Sequence, residues 1–219
     1  MLKLNLNIEK KRSFSILCLG AHSDDIEIGC GGTILRLLQS YNNANVTWVV
    51  FSANADRKRE AVTSAKRFLA RAKATTIITK GFKESFFPYR GENIKAFFER
   101  LKIQVAPDLI FSHYRHDQHQ DHRVICELTW NTFRNHQILE YEIPKYDGDL
   151  GQPNVYVPLS QELCNEKIKY LMEGFSTQRS RQWFTEDTFK SLLRLRGIEC
   201  HAPNKYAEAF YGRKLVLGG

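Results

Sequence analysis

Short apolar runs alternate along the chain with longer segments in which apolar residues recur every three or four positions. A short apolar run is typical of a buried strand, and the longer periodic pattern is typical of an amphipathic helix. The pattern predicts six strands, which are Phe14–Gly20, Val46–Ser52, Thr75–Thr79, Leu109–Ser112, Ile138–Ile143 and Asn154–Pro158. It also predicts six helices, which are Gly31–Ser40, Arg57–Arg71, Asn93–Gln104, Asp121–Arg134, Gln161–Glu173 and Glu186–Arg196.

The alternation of strands and helices favours an α/β fold. We expect a Rossmann-like three-layer sandwich, in which a mostly parallel central sheet carries helices on both faces. Right-handed crossovers then bring the loops that follow the strands to one edge of the sheet, where ligands bind in such folds. A chain of 219 residues is long enough for one large core, so we assign residues 1–219 to a single domain.

Side chains with metal-binding chemistry follow two of the predicted strands. His22, Asp24 and Asp25 come just after Phe14–Gly20. Four of the seven histidines come just after Leu109–Ser112, at positions 113, 116, 119 and 122. Because both strands end at the same edge of a parallel sheet, we expect the two clusters to form one site. Imidazoles and carboxylates are common zinc ligands, so the pattern predicts a zinc-dependent hydrolase.

The first cluster predicts most of the metal's ligands. Catalytic zinc is usually held by three protein ligands, with a further position for water. His22 and Asp25 can bind the metal from one tight turn, which leaves Asp24 free to face the water as a base. His122 would complete the set from the second cluster.

The second cluster leaves the third ligand open. Its histidines recur every three residues, so His113 or His116 can take the place of His122. His119 and Asp121 are assigned outside the ligand set, one to act on substrate and the other to orient an imidazole.

The charge of the chain bears on its partners. It has 32 Lys and Arg against 24 Asp and Glu, a formal net charge of +8. Such an excess favours anionic partners, for example a phosphate-bearing substrate, although it also serves general solubility. The basic residues are dispersed and form no long tract, so nucleic acid is not expected as a partner.

Cysteine usage and hydropathy bear on location. The five cysteines are scattered and contain no CxxC pair, which favours the reducing cytoplasm over a disulfide framework. The sequence has no apolar stretch near the roughly 20 residues that span a bilayer, so no transmembrane segment is expected.

The glycine-rich stretch does not predict nucleotide binding. Gly29, Gly31 and Gly32 do not fit GxGxxG, because Ile34 stands where the third glycine belongs. We expect these glycines to let the start of a helix pack closely on the sheet. The sequence also has no P-loop lysine pattern and no GxSxG elbow, which weakens kinase and serine hydrolase interpretations.

Several segments together resemble one known family. Ala21–Thr33 has the form of an AHPDDxE motif with a glycine-rich helix start, and His119–His122 has the form HxDH. Arg57–Ala61 has the form of an RxxEA helix, and Arg196–Gly197 with Tyr206–Phe210 has the form RG…YAExF. In these segments the chain resembles the PIG-L/LmbE family of zinc-dependent de-N-acetylases over nearly its whole length.

The resemblance implies an LmbE-like fold and a ligand set for zinc. It implies that His22, Asp25 and His122 bind Zn²⁺, which decides the open choice in favour of His122. The chain departs from the family at Ser23, where proline is usual. Serine removes a fixed φ and adds a hydroxyl, but neither ligand of this motif is lost.

The resemblance also implies roles for the surrounding residues. Asp24 would be the general base, and His119 would stabilise the oxyanion, tuned by Asp121. Arg57 and Glu208 match positions that would contact substrate. The proton for the leaving amine would come from Asp24 or from His119, and the sequence does not choose between them.

The expected activity is removal of an N-acetyl group from an acetamido sugar, as a metal-dependent amide hydrolase. The substrate would be a small glycan, glycoside or sugar-nucleotide precursor of polysaccharide biosynthesis, and the charge of the chain favours one that bears phosphate. The sequence leaves the native metal and a homo-oligomeric assembly open.

Two other functions compete with this one. A two-metal phosphoesterase needs about six or more ligands, and His113, His116 and Asp117 would supply the extra ones. A non-catalytic module that binds a glycan or sugar nucleotide would need zinc only to hold its fold. The presence of Asp24 and His119 argues against such a module, because a structural metal site needs no base.

Overall fold

A computed structural model describes residues 13–216, so residues 1–12 and 217–219 of the predicted domain lie outside the described residues. The described part has seven strands, β1 Phe14–Gly20, β2 Ala44–Val50, β3 Ala74–Thr79, β4 Leu109–His113, β5 Gln137–Tyr141, β6 Val155–Leu159 and β7 Tyr206–Gly212. They form one sheet in the order β3-β2-β1-β4-β5-β7-β6. Strands β1 to β5 are parallel, and β7 runs antiparallel between β5 and β6.

Helices cover both faces of this sheet. Residues 13–216 contain α1 Asp25–Ser40, α2 Ala55–Phe68, α3 Gly91–Gln104, α4 Gln120–Thr132, α5 Gln161–Gly174 and α6 Glu186–Glu199, with 3₁₀ turns at Phe87–Arg90 and Ser176–Gln178. Helices α1, α2, α5 and α6 enclose the larger of two apolar cores. Helices α3 and α4 enclose the smaller core on the opposite face.

Strand β1 runs through the middle of the molecule and is buried on both faces. Phe14, Ile16 and Cys18 point into the larger core, whereas Leu17 and Leu19 point into the smaller one. A parallel strand with helices on both sides has no face for water, which is why it is an unbroken apolar run instead of an alternating one.

The predicted α/β fold with a mostly parallel sheet is confirmed, with two corrections to its elements. Helix α1 begins at Asp25, not at Gly31, and the amide of Ile28 already donates to the carbonyl of Asp24 at 3.0 Å. Strand β7 was not predicted at all. Strand β7 lies next to the edge strand β6.

The glycines of α1 have the packing role expected from the sequence. A Cβ at Gly29 would stand 2.1 Å from Cδ2 of Tyr141, and one at Gly31 would stand 2.6 Å from Cε1 of Phe68. Helix α1 therefore lies closer to its neighbours than any larger residue at these positions permits.

All five cysteines are buried free thiols. They include Cys30, which lies within the larger core and not in the metal-binding cluster. Across residues 13–216, every helix falls short of the length and apolar character that crossing a bilayer requires.

Candidate metal centre

The two predicted clusters meet at the centre of the sheet edge. Strand β1 lies between β2 and β4, so the chain moves outward in opposite directions from this point. Open α/β sheets bind ligands at such a point, at the carboxyl ends of the strands. His22 and Asp25 follow β1, and His122 lies in the first turn of α4, which follows β4.

Three side-chain atoms form a compact triangle at this edge of the sheet. His22 Nδ1 lies 3.1 Å from His122 Nε2 and 3.4 Å from Asp25 Oδ2. The third side, from His122 Nε2 to Asp25 Oδ2, is 3.6 Å. Zinc holds tetrahedral ligands at about 2.0–2.2 Å, which separates neighbouring ligand atoms by about 3.3–3.6 Å. The triangle therefore has the size that one tetrahedral ion needs.

Local backbone geometry positions these ligands. The amide of His22 donates to Asp25 Oδ2 at 2.6 Å, which closes a tight turn between the end of β1 and the start of α1. His119 is the N-cap of α4, and its Nδ1 accepts a hydrogen bond from the amide of Asp121 at 3.2 Å. This cap fixes the helical turn that carries His122.

Each histidine of the triangle is oriented by an aspartate on its other ring nitrogen. Asp121 Oδ2 lies 3.1 Å from His22 Nε2, and Asp117 Oδ2 lies 2.8 Å from His122 Nδ1. Carboxylates in this position fix the ring and make a histidine a better ligand. Both histidines are therefore held with their other ring nitrogen toward the triangle, in an orientation that would suit a metal ion.

Asp121 acts on His119 through its charge and not through a hydrogen bond from its carboxylate: burial lowers the pKa of His119, and the charge of Asp121 opposes this. Its carboxylate contacts His22 and also accepts the amides of Ser85, at 2.6 Å, and Phe87, at 3.1 Å. Only its backbone amide contacts the His119 ring. Asp121 thus joins the metal-binding cluster to the loop before α3.

The charges around the triangle of His22, Asp25 and His122 favour a bound cation. Burial alone would lower the pKa of His22, but Asp25 and Asp121 outweigh it and raise this pKa to about 10. Burial also opposes ionisation of Asp25, yet His122 and His22 hold its pKa well below the usual range. Burial and the nearby His113 lower the pKa of His122 to about 3. A metal ion can take the place of the proton on His22, because histidine binds metals in its neutral form.

Asp24 lies beside the triangle with a different partner. Burial raises the pKa of Asp24 to about 6, against the opposing charge of Arg57. Arg57 Nη2 donates to Asp24 Oδ1 at 2.8 Å, and its Nη1 contacts Glu84 at 3.2 Å. Arg57, which the resemblance matched to a substrate contact, is thus bonded to the predicted base.

His119 stands at the more open side of the cluster and is partly exposed. Its ring lies 4.8 Å from the His22 ring and 4.6 Å from the His122 ring, between centroids. Burial, followed by the charge of His22, lowers the pKa of His119. Because Nδ1 accepts a hydrogen bond, the neutral ring carries its proton on Nε2.

The histidines that competed with His122 have different positions. His113 is fully buried, and its Nε2 accepts the amide of Ala21 at 2.9 Å while lying 3.2 Å from Asp25 Oδ2. His116 is exposed. Within residues 13–216, two groups of side chains have ligand atoms close enough to hold a metal. One is His22, His119 and His122, and the other is Asp25, His113 and His122. Both contain His122, while His22 belongs to the first group and Asp25 to the second.

Glu208 lies outside this cluster, contrary to its predicted contact with substrate. It is 3% exposed, and its Oε1 pairs with Lys167 Nζ at 2.6 Å. Its two oxygens accept the amides of Gly32, at 2.8 Å, and Thr33, at 2.6 Å. Both oxygens are hydrogen-bonded within the protein. Glu208 therefore has a structural role, in which it connects β7 to α1.

Sequence reasoning assigned Asp117 only as an extra metal ligand and missed its orienting contact with His122. The five-residue spacing between them carries no recognised signal. The Asp117 carboxylate reaches the His122 ring because the loop before α4 folds back.

Comparisons with known proteins identify the family of the chain. Residues 17–133, more than half of the chain, match the family model described as PIG-L, GlcNAc-PI de-N-acetylase. A relative from Escherichia coli K12, described as the uncharacterized deacetylase YaiS, is 28% identical over 163 residues. The aligned part covers 71% of this chain and 88% of that relative.

Solved structures share the fold. The N,N'-diacetylchitobiose deacetylase from Pyrococcus horikoshii aligns with a TM-score of 0.66 at 19% identity, over 95% of this chain and 86% of its own. GalB, the 4-carboxy-2-hydroxymuconate hydratase from Pseudomonas putida KT2440, aligns with a TM-score of 0.74 at 14% identity, over 94% and 98%. Because one is a deacetylase and the other a hydratase, the fold alone does not define the reaction.

Proposed function

Because this chain belongs to the PIG-L family of deacetylases, we propose that it is a zinc-dependent hydrolase that removes an N-acetyl group from an amino sugar. One observation carries the proposal: the ligand atoms of His22, Asp25 and His122 are spaced for a single tetrahedral ion. A bound zinc ion would polarise the acetamide carbonyl and lower the pKa of water toward about 7.

Asp24 is the base in this proposal. It is adjacent to a metal ligand, and its pKa of about 6 suits a group that must accept a proton near neutral pH. Arg57 holds Oδ1, so we assign the water's proton to Oδ2. The same oxygen can return the proton to the amine that leaves with the sugar.

His119 is the proposed oxyanion stabiliser. Its Nε2–H is fixed by the cap at Nδ1, and the ring borders the metal triangle. A preorganised donor at a developing oxyanion contributes about 2.7–4 kcal/mol to transition-state stabilisation. Asp24 and His119 also argue against a pure binding module, which needs neither group.

We take the substrate to be an acetamido sugar that bears phosphate. The net charge of +8 supports an anionic substrate. A sugar with a free anionic group would gain in encounter rate, and this gain would shrink with added salt.

The proposal excludes the two-metal phosphoesterase. Each of the three side chains that would hold its second metal either bonds to another group or lies away from the triangle. Asp117 holds His122, the Nε2 of His113 accepts the amide of Ala21, and His116 is exposed. One bound ion per chain is therefore expected.

Acetate release tests the proposal directly. The panel comprises N-acetylglucosamine glycosides, N,N'-diacetylchitobiose, inositol-linked N-acetylglucosamine with and without phosphate, and N-acetylated sugar nucleotides. We expect acetate from one class, with about a 10²–10⁴-fold loss in Asp24→Asn and zinc content unchanged. Full turnover by Asp24→Asn would remove Asp24 as the base. A neutral glycoside preferred over every phosphorylated sugar would overturn the substrate class.

A further inference from the structure

A lysine outside the catalytic motifs lies behind the metal centre. Lys145, in the loop after β5, has a side chain only 9% exposed. Its Nζ lies 2.5 Å from Asp149 Oδ2 and 3.1 Å from Asp117 Oδ1. A third carboxylate, Asp147 Oδ2, lies 3.6 Å away. Burying an ammonium is costly, and these carboxylates supply the counter-charge that offsets the cost.

Asp117 connects this ammonium to the metal triangle. Its Oδ2 contacts His122 Nδ1 at 2.8 Å, and its Oδ1 contacts Lys145 Nζ. Oδ1 also accepts the amide of His119 at 2.8 Å. The rotation of this carboxylate is therefore fixed at both oxygens, and with it the ring of a metal ligand.

Lys145 also helps to connect the loop after β5 to the loop before α4. Asp149 Oδ2 accepts both Lys145 Nζ and the amide of Gln118, the latter at 2.7 Å. The loop segment 145–149 is thereby attached to the segment 117–119, which leads into α4. Lys145 takes part in this attachment twice, because its Nζ contacts Asp149 in the first segment and Asp117 in the second.

The charges explain why a neutral side chain cannot replace Lys145. Burial opposes its charge, but Asp117 and Asp149 outweigh burial and raise the pKa of Lys145. Without the ammonium, the two carboxylates would face each other without a counter-charge in a partly buried site. Their repulsion would act on Asp117, whose Oδ1 would keep only the His119 amide to hold it in place against His122.

We propose that Lys145 is a positioning residue of the metal centre, which holds Asp117 in place and through it the ring of His122. This inference rests on the proposed binding of zinc by His22, Asp25 and His122. It predicts that Lys145 sets metal affinity without touching metal or substrate.

Zinc affinity and a spectrum test the inference. The dissociation constant for zinc is measured by competition with a chromophoric chelator, and the Co²⁺ form gives a visible spectrum that reports ligand geometry. We expect Lys145→Met to weaken zinc binding about tenfold, the lower limit for groups that orient a ligand, and to change the Co²⁺ spectrum. Lys145→Arg, which keeps the charge, should retain most of the affinity. Lys102→Met is the matched control, since it breaks the exposed pair with Glu99.

A double variant separates positioning from general stability. In an Asp117→Asn background, Lys145→Met should weaken zinc binding no further, because both changes remove the same support. Wild-type affinity and an unchanged spectrum in Lys145→Met would overturn the inference, whatever its melting temperature. A wild-type protein that binds no zinc would overturn the proposed function together with the inference. Normal zinc binding with an unaffected Lys145→Met variant would overturn the inference alone.

Discussion

At the scale of single residues, the partner of each carboxylate decides its role. Asp25, Asp24 and Asp117 are all buried, yet the first faces three imidazoles, the second faces a guanidinium and the third bridges an imidazole and an ammonium. The sequence placed these residues in one cluster because they follow strands that end at the same edge of a parallel sheet. It did not predict their pairing, which depends on loops that carry no periodic pattern.

Arg57 offers a test of such a pairing. Its guanidinium favours the ionised form of Asp24, so Arg57→Met should raise the pKa of that carboxyl above its value of about 6. Because Asp24 must be ionised to accept a proton, the acid limb of the pH profile of kcat/KM should move to higher pH by about one unit. The measurement is the pH profile of acetate release.

A variant on the same helix provides the control. Arg59 is 81% exposed in its side chain and lies 3.9 Å from Asp56, so Arg59→Met should leave the profile unchanged. If Arg57→Met instead raised KM at every pH and left the acid limb in place, Arg57 would be a substrate contact, as the resemblance implied.

At the scale of elements, the sequence predicted the strands and helices with regular patterns and missed the irregular ones. Strand β7 was missed because Ala207, Glu208 and Ala209 are poor strand formers. They are buried here because tertiary contacts pair Glu208 with Lys167. The start of α1 was misplaced because Gly29 and the glycines after it lower helix propensity. The sequence predicted their close packing, but not that the helix already begins at Asp25, before them.

The Lys167–Glu208 pair joins three elements. Glu208 in β7 accepts the amide of Gly32, while Lys167 in α5 donates to the carbonyl of Ile28 at 2.6 Å. This amide and this carbonyl are four residues apart in α1, so the ion pair contacts both ends of one helical turn. Glu208→Gln leaves a buried ammonium without its counter-charge and should cost about 3–5 kcal/mol of unfolding free energy.

Urea unfolding measures this loss. Glu186→Gln, in the exposed pair with Lys190, is the matched control and should lose much less. The double variant Lys167→Met/Glu208→Gln should recover part of the loss, since it removes the unpaired charge. A stable Glu208→Gln protein with a raised KM would contradict this and return Glu208 to the substrate.

Helix packing gives a second test at this scale. An added methyl group at Gly29 would collide with the ring of Tyr141, so Gly29→Ala should destabilise the fold by about 1–3 kcal/mol or more. Gly91, at the start of α3, has no atom within 4 Å of an added Cβ and has a helical φ of −52°. Gly91→Ala should therefore be neutral or slightly stabilising. Equal destabilisation in both variants would contradict the close approach of α1 to the sheet.

At the scale of the whole molecule, the candidate site depends on the order of the strands. The sequence predicted that both clusters reach one sheet edge, because parallel strands all end on the same side. The order β2-β1-β4 adds what the pattern could not, namely that the two cluster-bearing strands are direct neighbours. An ion in the triangle would therefore connect the start of α1 to the first turn of α4, across the middle of the sheet.

If zinc binds as proposed, this placement would make the stability of the whole fold depend on the metal. Zinc that binds only the folded chain at 100 times its dissociation constant stabilises it by about 2.7 kcal/mol. For a chain of this length that raises the melting temperature by roughly 5–10 °C. We expect this rise when chelated protein is titrated with zinc. Asp25→Ala lacks one corner of the triangle and should show little of it, whereas Asp56→Ala, at an exposed position, should behave as wild type. A rise of equal size in Asp25→Ala would mean that the stabilising zinc binds elsewhere on the chain.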